Sequence, residues 1–331
     1  MRLSRRGLLA GLGSLALPRA ALAIEQHRFP VAIGARRIAA FEPRNPEKRR
    51  FGPLTFRGGL ALSCGHPRFG GFSGLWRSAD GRELVSVSDR GYWLTAKVAA
   101  EGGRPIALAD AEMAAILGTS GRPLTRSGLY DAESLCIANG VAYVGIERRH
   151  AIVRFDWGAQ GMEARARSVP VPAEIKRLPR NRGLEALGVV PGGPLKGALV
   201  AVAERSGKQD EPTLGVILGG PKPGLFKVAR HDGYDITDLA FLPSGDMLLL
   251  ERWYQPLRGV GMRIRRIAGR DLKAGALLDG TYLIEADLGF EIDNMEGLSV
   301  HLEDGRTILT LISDDNFSFL QRTLLLEFEL A

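Results

Sequence analysis

Cysteine and histidine are scarce in this sequence, which contains two cysteines and five histidines among 331 residues. None of them falls into a CxxC or HExxH spacing, which argues against sulfur-rich and zincin-type metal sites. We expect Cys64 and Cys136 to be two independent core cysteines rather than a disulfide. The segment Gly71–Gly74 lacks the second glycine of a nucleophile elbow, so serine-nucleophile chemistry has little support.

Long apolar runs are also missing. Outside the extreme N-terminus, no run reaches the roughly 18 residues that a transmembrane helix needs. No dinucleotide fingerprint follows a predicted strand, and the glycine-rich segment Gly219–Gly224 contains prolines, which lack the amide donors of a phosphate cradle. We therefore expect no membrane span and no nucleotide-binding fold.

An export signal is predicted for residues 1–23, which combine a basic head, an apolar stretch and a small-residue cleavage site. Arg5 and Arg6 directly precede the apolar stretch, which is typical of a twin-arginine signal. The mature protein is then a single domain of residues 24–331 in the periplasm or outside the cell.

Much of the basic charge belongs to that signal. The formal net charge of +7 falls to +3 without residues 1–23, which carry four arginines and no acidic residue. A mature chain so close to neutrality lacks the clustered basic footprint of nucleic-acid binding. We expect no nucleic-acid partner.

Five weakly similar segments recur at intervals of about 50 to 60 residues, a spacing typical of repeat architectures. Each begins with a small or acidic residue before a leucine and continues into an apolar strand. A turn signal such as Asn139-Gly140 follows, and then a second apolar strand. The five segments are Ser73–Leu75, Glu133–Leu135, Glu185–Leu187, Thr237–Leu239 and Glu296–Leu298.

The second strands end alike, in an acidic residue next to an arginine or, in the fifth repeat, in a cluster of acids. These strand ends are Asp89-Arg90, Glu147-Arg148, Glu204-Arg205, Glu251-Arg252 and Asp314-Asp315-Asn316. Because successive residues of a strand point to opposite faces, the acid and the arginine of each pair should diverge.

Hairpins at this spacing predict an all-β fold, a β-propeller built of four-stranded blades. The mature length favours six blades, and five are allowed because the interval between the last and first repeats is long for one blade and short for two. We expect Thr323–Leu330 to close the ring against Leu54–Leu62, and Ala107–Leu117 to form a short inserted helix.

Convergence of the blades would gather the repeated acids around the mouth of a central channel. Carboxylate, carbonyl and water oxygens are the ligands of calcium, so the acids predict a cation site, with calcium as the candidate ion. The alternative is that each acid pairs with an arginine of a neighbouring blade and locks the ring. The candidate metal ligands are Asp89, Glu133, Glu185, Glu251, Asn294, Glu296 and Asp314, and Glu147 and Glu204 are further candidate acids of the channel.

Roles follow from the same pattern. We assign Glu133, Glu185 and Glu296 as candidate catalytic carboxylates. The arginines at the strand ends would stabilise negative charge on a small anionic or ester substrate. They are Arg90, Arg148, Arg205 and Arg252.

Five further stretches of the sequence are Phe69–Leu75, Val87–Gly91, Asp131–Leu135, Asn181–Leu187 and Asn294–Leu298. As a set, they resemble the exported phytase-like family with esterase-like activity. The resemblance implies a β-propeller and points towards the calcium-dependent propeller phytases, which cleave phosphate esters with metal-activated water.

Three functions remain open from the sequence. The first is a periplasmic, calcium-assisted ester or phosphoester hydrolase. The second is a non-catalytic propeller that binds a ligand or partner and uses calcium for stability. The third is a lactonase-like hydrolase, since other six-bladed propellers use a few channel acids and an asparagine around one metal.

Overall fold

The computed structural model describes residues 28–127, 131–255 and 258–331. The predicted export signal lies outside these residues. In the described part, two short helices, α1 (Trp157–Gln160) and α2 (Ala173–Lys176), accompany a fold made of strands. Short 3-10 helices cover Leu124–Ser127, Glu147–Arg149, Gly161–Glu163, Gly193–Leu195 and Gly269–Asp271.

The strands of the described residues are, in order, β1 (Arg28–Pro30), β2 (Gly34–Ile38), β3 (Arg50–Phe51), β4 (Leu54–Ser63), β5 (Phe72–Arg77), β6 (Glu83–Ser88), β7 (Tyr92–Glu101), β8 (Arg104–Ala115), β9 (Ala132–Ala138), β10 (Val141–Ile146), β11 (Ala151–Asp156), β12 (Arg167–Val169), β13 (Leu184–Val189), β14 (Leu199–Ala203), β15 (Thr213–Leu218), β16 (Gly224–Val228), β17 (Asp235–Phe241), β18 (Met247–Gln255), β19 (Gly259–Ile267), β20 (Leu277–Leu278), β21 (Thr281–Ala286), β22 (Asn294–Glu303), β23 (Arg306–Asp314) and β24 (Thr323–Leu330).

These strands form five sheets, the blades of a β-propeller. Blade 1 has the order β1-β8-β7-β6-β5, blade 2 β12-β11-β10-β9, and blade 3 β13-β14-β15-β16-β20. Blade 4 has the order β17-β18-β19-β21, and blade 5 β2-β4-β24-β23-β22 with β3 beside β4. The innermost strands β5, β9, β13, β17 and β22 each contact the next, and β22 contacts β5, which closes the ring.

The preferred count of six blades is wrong for the described residues, and the smaller count of five is confirmed. The long interval between the last and first repeats does not hold a sixth blade. It supplies β2, β3 and β4 to blade 5 and β1 to the outer edge of blade 1. Extra outer strands thus account for the surplus length.

The predicted closure of the ring is confirmed. Strand β24 pairs antiparallel with β4, and Thr323 is the register partner of Leu62. Blade 5 therefore combines strands from both ends of the domain, and this pairing satisfies backbone groups that would otherwise form an exposed sheet edge.

The core consists of five apolar clusters, one between each pair of neighbouring blades. Trp93 of blade 1 and Phe155 of blade 2, for example, are buried together with their rings 5.2 Å apart. Glycine is needed where the innermost strands approach most closely, since a Cβ at Gly74 would lie 2.7 Å from the backbone nitrogen of Leu135. Close packing of this kind makes every blade depend on its neighbours.

The segment Ala107–Leu117 does not form the predicted helix. It lies largely in β8, which pairs with β7 along its length, with Ala107 opposite Ala99 and Met113 opposite Leu94. Leu108 and Met113 are buried against blade 5 and the rest of blade 1. Helix-forming residue types are here overruled by sheet pairing and burial.

Cys64 and Cys136 are free cysteines, as expected, and each is half-buried. Cys136 lies in β9, and burial raises the pKa of its thiol to about 12. Such a thiol stays protonated at neutral pH and is a poor nucleophile. Separately, none of the helices among the described residues has the length and hydropathy of a membrane span.

The stability of the fold should depend on His301 at mildly acidic pH. Burial, with Arg77 nearby, lowers the pKa of His301 to about 4, and its Nδ1 has no hydrogen-bond partner among the described residues. A histidine that is harder to protonate when folded stabilises the protein fully above its ordinary pKa of about 6.5 and progressively less as the pH falls to 4. We expect this loss to reach about 3 kcal/mol.

Urea unfolding of wild type and His301→Gln between pH 7 and pH 4 measures this loss. The difference in unfolding free energy between the two should change by about 3 kcal/mol over that range. Parallel curves would show that the imidazole does not control stability.

Candidate functional site

A β-bulge occurs at the same position in each innermost strand. In β9, for instance, Ala132 pairs with Ile146 and Ser134 with Gly145, so Glu133 is an extra residue without a partner in the register. Bulges re-aim side chains and are frequent next to active sites. The extra residues, which we call the inner ring, are Ser73, Glu133, Glu185, Thr237 and Glu296.

A second ring comes from the neighbouring strands. In each blade, the residue before the bulge has a register partner on the second strand, and the residue after that partner reaches the channel. These residues, the outer ring, are Asp89, Glu147, Glu204, Arg252 and Asp314. Four of the five blades therefore present an acid at this position, and blade 4 presents an arginine.

The two rings line one cavity of about 840 Å³ at the channel mouth. All five residues of the outer ring and the three glutamates of the inner ring contribute to its lining. The lining holds three arginines, Arg148, Arg252 and Arg322, against nine carboxyl groups, those of Asp89, Asp131, Glu133, Glu147, Glu185, Glu204, Asp293, Glu296 and Asp314.

Two groups of carboxyl oxygens are close enough to share cations. One group comprises Asp131, Glu133 and Glu147, and the other comprises Glu147, Glu185 and Glu204. In each group the oxygens lie within 4.8 Å of one another, and Glu147 belongs to both. Since calcium binds oxygen at about 2.3–2.6 Å, two oxygens on opposite sides of one ion would have this separation. The acidic clusters therefore suit a hard, oxygen-preferring cation.

The raised pKa values of the inner-ring glutamates also favour a bound cation. Desolvation raises the pKa of Glu133 well above its ordinary value, and Asp131 raises it further. Desolvation also raises the pKa of Glu185 well above its ordinary value, and the negative charge of Glu204 raises it further. Buried carboxylates that crowd one another require protons or cations to compensate their charge.

The outer ring shows the same effect. Desolvation, with Asp235 nearby, raises the pKa of Glu204 to about 7. Desolvation and Glu296 raise the pKa of Asp314 to about 8. The pKa values of Asp89 and Glu147 are also raised, chiefly by desolvation. In the absence of a cation, these carboxyl groups therefore bind protons more readily than exposed carboxyl groups do.

Glu296 is an inner-ring carboxylate that pairs with an arginine of the neighbouring blade. Its Oε1 lies 2.8 Å from Nε of Arg252 and accepts a hydrogen bond of 2.9 Å from the Asn294 side chain. Arg252 thus stands in the acid position of blade 4 and is held there by an acid of blade 5. This pair is the interblade lock that the sequence offered as an alternative to cation binding.

Asp131 is a site residue that the sequence analysis did not assign. It precedes β9, has a positive φ of 81° and lies 2.6 Å from Nε of Arg148. Its backbone amide donates to the carbonyl of Asp89, and its carbonyl accepts from the amide of Glu147. The sequence signal that could have identified Asp131 as a site residue is its position two residues before Glu133, the repeated acid of blade 2.

Of the seven predicted metal ligands, all except Glu251 line the cavity. Glu251 points into the blade, where Nε of Arg263 lies 2.5 Å from its Oε2 and Arg265 pairs with its Oε1. The assignment of Glu251 as a metal ligand is therefore not supported. The sequence analysis matched the acid-arginine pair of blade 4 with the pairs of the other blades. This match is wrong by one residue, because Arg252 and not Glu251 occupies the outer ring.

Of the four predicted substrate-binding arginines, two line the cavity and two do not. Arg148 and Arg252 line the cavity. Arg205 instead pairs with Asp235, and the guanidinium of Arg90 lies 3.2 Å from the ring centre of Phe317. Neither of these two arginines is among the described residues that line the cavity.

A β-propeller with a carboxyl-lined cavity on its axis is the class of protein that this fold and site define. The chain belongs to the phytase-like family described as esterase-like activity of phytase, whose sequence model matches residues 67–317. Among curated proteins, none matches the chain.

Solved structures with similar folds are distant in sequence. Glutaminyl cyclase of Myxococcus xanthus is 12% identical, with 84% of this chain and 97% of that chain covered and a TM-score of 0.43. The PQQ-bound aldose sugar dehydrogenase of Streptomyces coelicolor is 12% identical, with 90% and 98% covered and a TM-score of 0.42. An α-L-arabinofuranosidase of Clostridium thermocellum is 9% identical, with 72% and 81% covered and a TM-score of 0.44. No activity is transferred from proteins this distant.

Proposed function

We propose that this protein is a cation-assisted hydrolase of esters or phosphoesters, exported to the periplasm or beyond, with calcium as the candidate ion. The observation that carries the proposal is the convergence of acids from four blades, through bulges and strand ends, on one cavity. Membership of a phytase-like family with esterase-like activity supports the reaction class.

The acidic clusters would hold the cation, with Glu147 shared between the two groups. A divalent cation bound there supplies Lewis-acid polarisation of a carbonyl or phosphoryl oxygen. In the hydrolysis, the oxygen of water bonds to carbon or phosphorus, the ester bond breaks, and the alcohol leaves with a proton.

The chain's own residues have separate tasks in this proposal. Arg252, fixed by Glu296, directs its guanidinium at an anionic oxygen of the substrate. Arg148, fixed by Asp131, does the same from blade 2. Glu133 and Glu185 are the carboxylates placed to accept a proton from the attacking water.

Hydrolysis assays with purified residues 24–331 test this function. We expect turnover of a phosphomonoester or a carboxylester with calcium present, and a loss of at least about a hundredfold with excess chelator. A panel of lactones in the same assay tests the lactonase-like alternative.

A thermal melt under both conditions separates catalysis from structural binding. Calcium should raise the melting temperature, because a ligand that binds only the folded state stabilises it. A raised melting temperature without turnover of any ester or lactone would contradict the hydrolase and support the binding propeller. No effect of calcium on either measurement would remove the cation site.

A further inference from the structure

The cavity at the channel mouth has two chemically different sides. Its floor is formed by the carboxyl groups of the inner and outer rings. The side next to blades 4 and 5 carries apolar side chains, which we call the apolar wall. These are Tyr254, Val260, Leu288, Ile292 and Leu320.

Three of the five side chains of the apolar wall are largely exposed. Tyr254, Leu288 and Leu320 are 62%, 63% and 78% exposed. They are three of the seven large hydrophobic side chains that the described residues leave exposed. An exposed apolar surface that continues directly into a polar pocket is typical of a ligand-binding site.

Packing holds part of this wall in place. Leu288 lies against Gly259, where an added Cβ would be 2.2 Å from Cδ1 of the leucine. Val260 follows Gly259 in β19, and Ile292 is buried in the core between blades 4 and 5. The wall is therefore attached to the propeller on its blade 4 side.

The positive charges of the cavity are already neutralised by acids. Arg148 pairs with Asp131 and Arg252 with Glu296. Arg322 lies 2.7 Å from Glu291 and 3.5 Å from Asp293. With these arginines already paired and no lysine among the described residues of the lining, the cavity offers few protein groups to bind several phosphates.

From these two observations we propose that the substrate is an amphiphilic ester, with one ester or phosphoester head and an apolar group of several carbons. The head lies on the acidic floor, and the apolar group lies against Leu288 and Leu320. This inference rests on the proposed hydrolase function and excludes a polyphosphorylated polyol as the preferred substrate.

Matched substrates test the inference. Ethyl and hexyl phosphate, ethyl and hexyl acetate, and inositol hexakisphosphate are compared by kcat/KM with calcium present. Each buried methylene contributes to binding, so we expect the hexyl ester of the preferred head to exceed its ethyl ester by at least about tenfold. Inositol hexakisphosphate should be the poorest phosphate substrate.

Substitutions locate the effect. Leu288→Ser and Leu320→Ser should each lower the hexyl-to-ethyl ratio by about fivefold or more. Phe319→Ser is the matched control, because Phe319 adjoins Leu320 and is 95% exposed but does not line the cavity. This control should leave the ratio unchanged.

The outcomes separate the two proposals. Equal rates for ethyl and hexyl esters, or fastest turnover of inositol hexakisphosphate, would overturn the inference and leave the hydrolase standing. If nothing is hydrolysed, the proposed function fails. Calorimetry with ethyl and hexyl phosphate then tests whether the apolar wall binds the alkyl group of a ligand. Tighter binding of hexyl phosphate that Leu320→Ser abolishes would support the apolar site, and equal binding would refute it.

Discussion

Glu185→Gln is expected to reduce ester hydrolysis by at least about a hundredfold while it stabilises the cation-free protein. Glutamine keeps the shape of the side chain and removes a charge that burial and Glu204 make unfavourable. Activity falls because a candidate cation ligand, which is also a proposed proton acceptor, is lost. Stability rises because one desolvated negative charge is gone.

The stability effect should depend on pH in a defined direction. A carboxyl group whose pKa is raised by folding stabilises the folded state fully below its ordinary pKa, and this contribution is lost as the pH rises through the folded value. The pKa values of Glu204 and Asp314, about 7 and about 8, place much of the loss between pH 4.5 and pH 8. Wild type without calcium should lose stability over this range, and Glu185→Gln should lose less of it.

Thermal melts at pH 5 and pH 8, with calcium or chelator, measure this difference. Glu101→Gln is the matched control, since the Glu101 side chain is 71% exposed at the end of β7. It should behave as wild type in both activity and stability. Equal activity of Glu185→Gln and wild type would remove Glu185 from the site.

Glu251→Gln should destabilise the protein by at least about 3 kcal/mol without altering the cavity. Glu251, Arg263 and Arg265 are almost entirely buried, and the carboxylate bonds to both guanidinium groups. Removing its charge leaves two arginines in the protein interior with less compensation. Each retains only a more exposed carboxylate, that of Asp232 or Asp279.

Chemical unfolding of Glu251→Gln measures this cost. Asp246→Asn removes the carboxylate of another ion pair of blade 4, that with Arg266, in which the Arg266 side chain is 39% exposed. We expect this control to cost about 1 kcal/mol or less, as partly exposed pairs do. Equal effects of the two substitutions would show that burial does not govern the strength of these pairs.

Much of the fold follows from the sequence. Turn signals such as Asn139-Gly140 between apolar runs locate hairpins, and the structure has β9 and β10 at that place. The pairing of β24 with β4 was predictable because an unpaired apolar strand at each end of a ring requires a partner. The helix expected at 107–117 is wrong because residue types alone did not reveal that this segment forms a long hairpin with the preceding strand β7.

The sequence predicted most of the acids that form the site, but it did not predict the strand register that directs them to the channel. Glu133, Glu185 and Glu296 share a repeat position, which the sequence displays directly. The bulge that turns each of them towards the axis exists only in the pairing of strands, and no local signal shows it. For the same reason, the sequence did not show that Arg252, rather than Glu251, lies at the channel. That assignment depends on the register of β17 with β18.

The pairing of Leu62 with Thr323 also has a consequence for biosynthesis. Strand β4 is synthesised long before its partner β24. The blade that contains both therefore stays incomplete on the ribosome until translation reaches residue 330. During that time the edge of β4 has free backbone donors and acceptors that holdase chaperones can bind. Shortening the chain within β24 should therefore leave the newly made protein dependent on such chaperones.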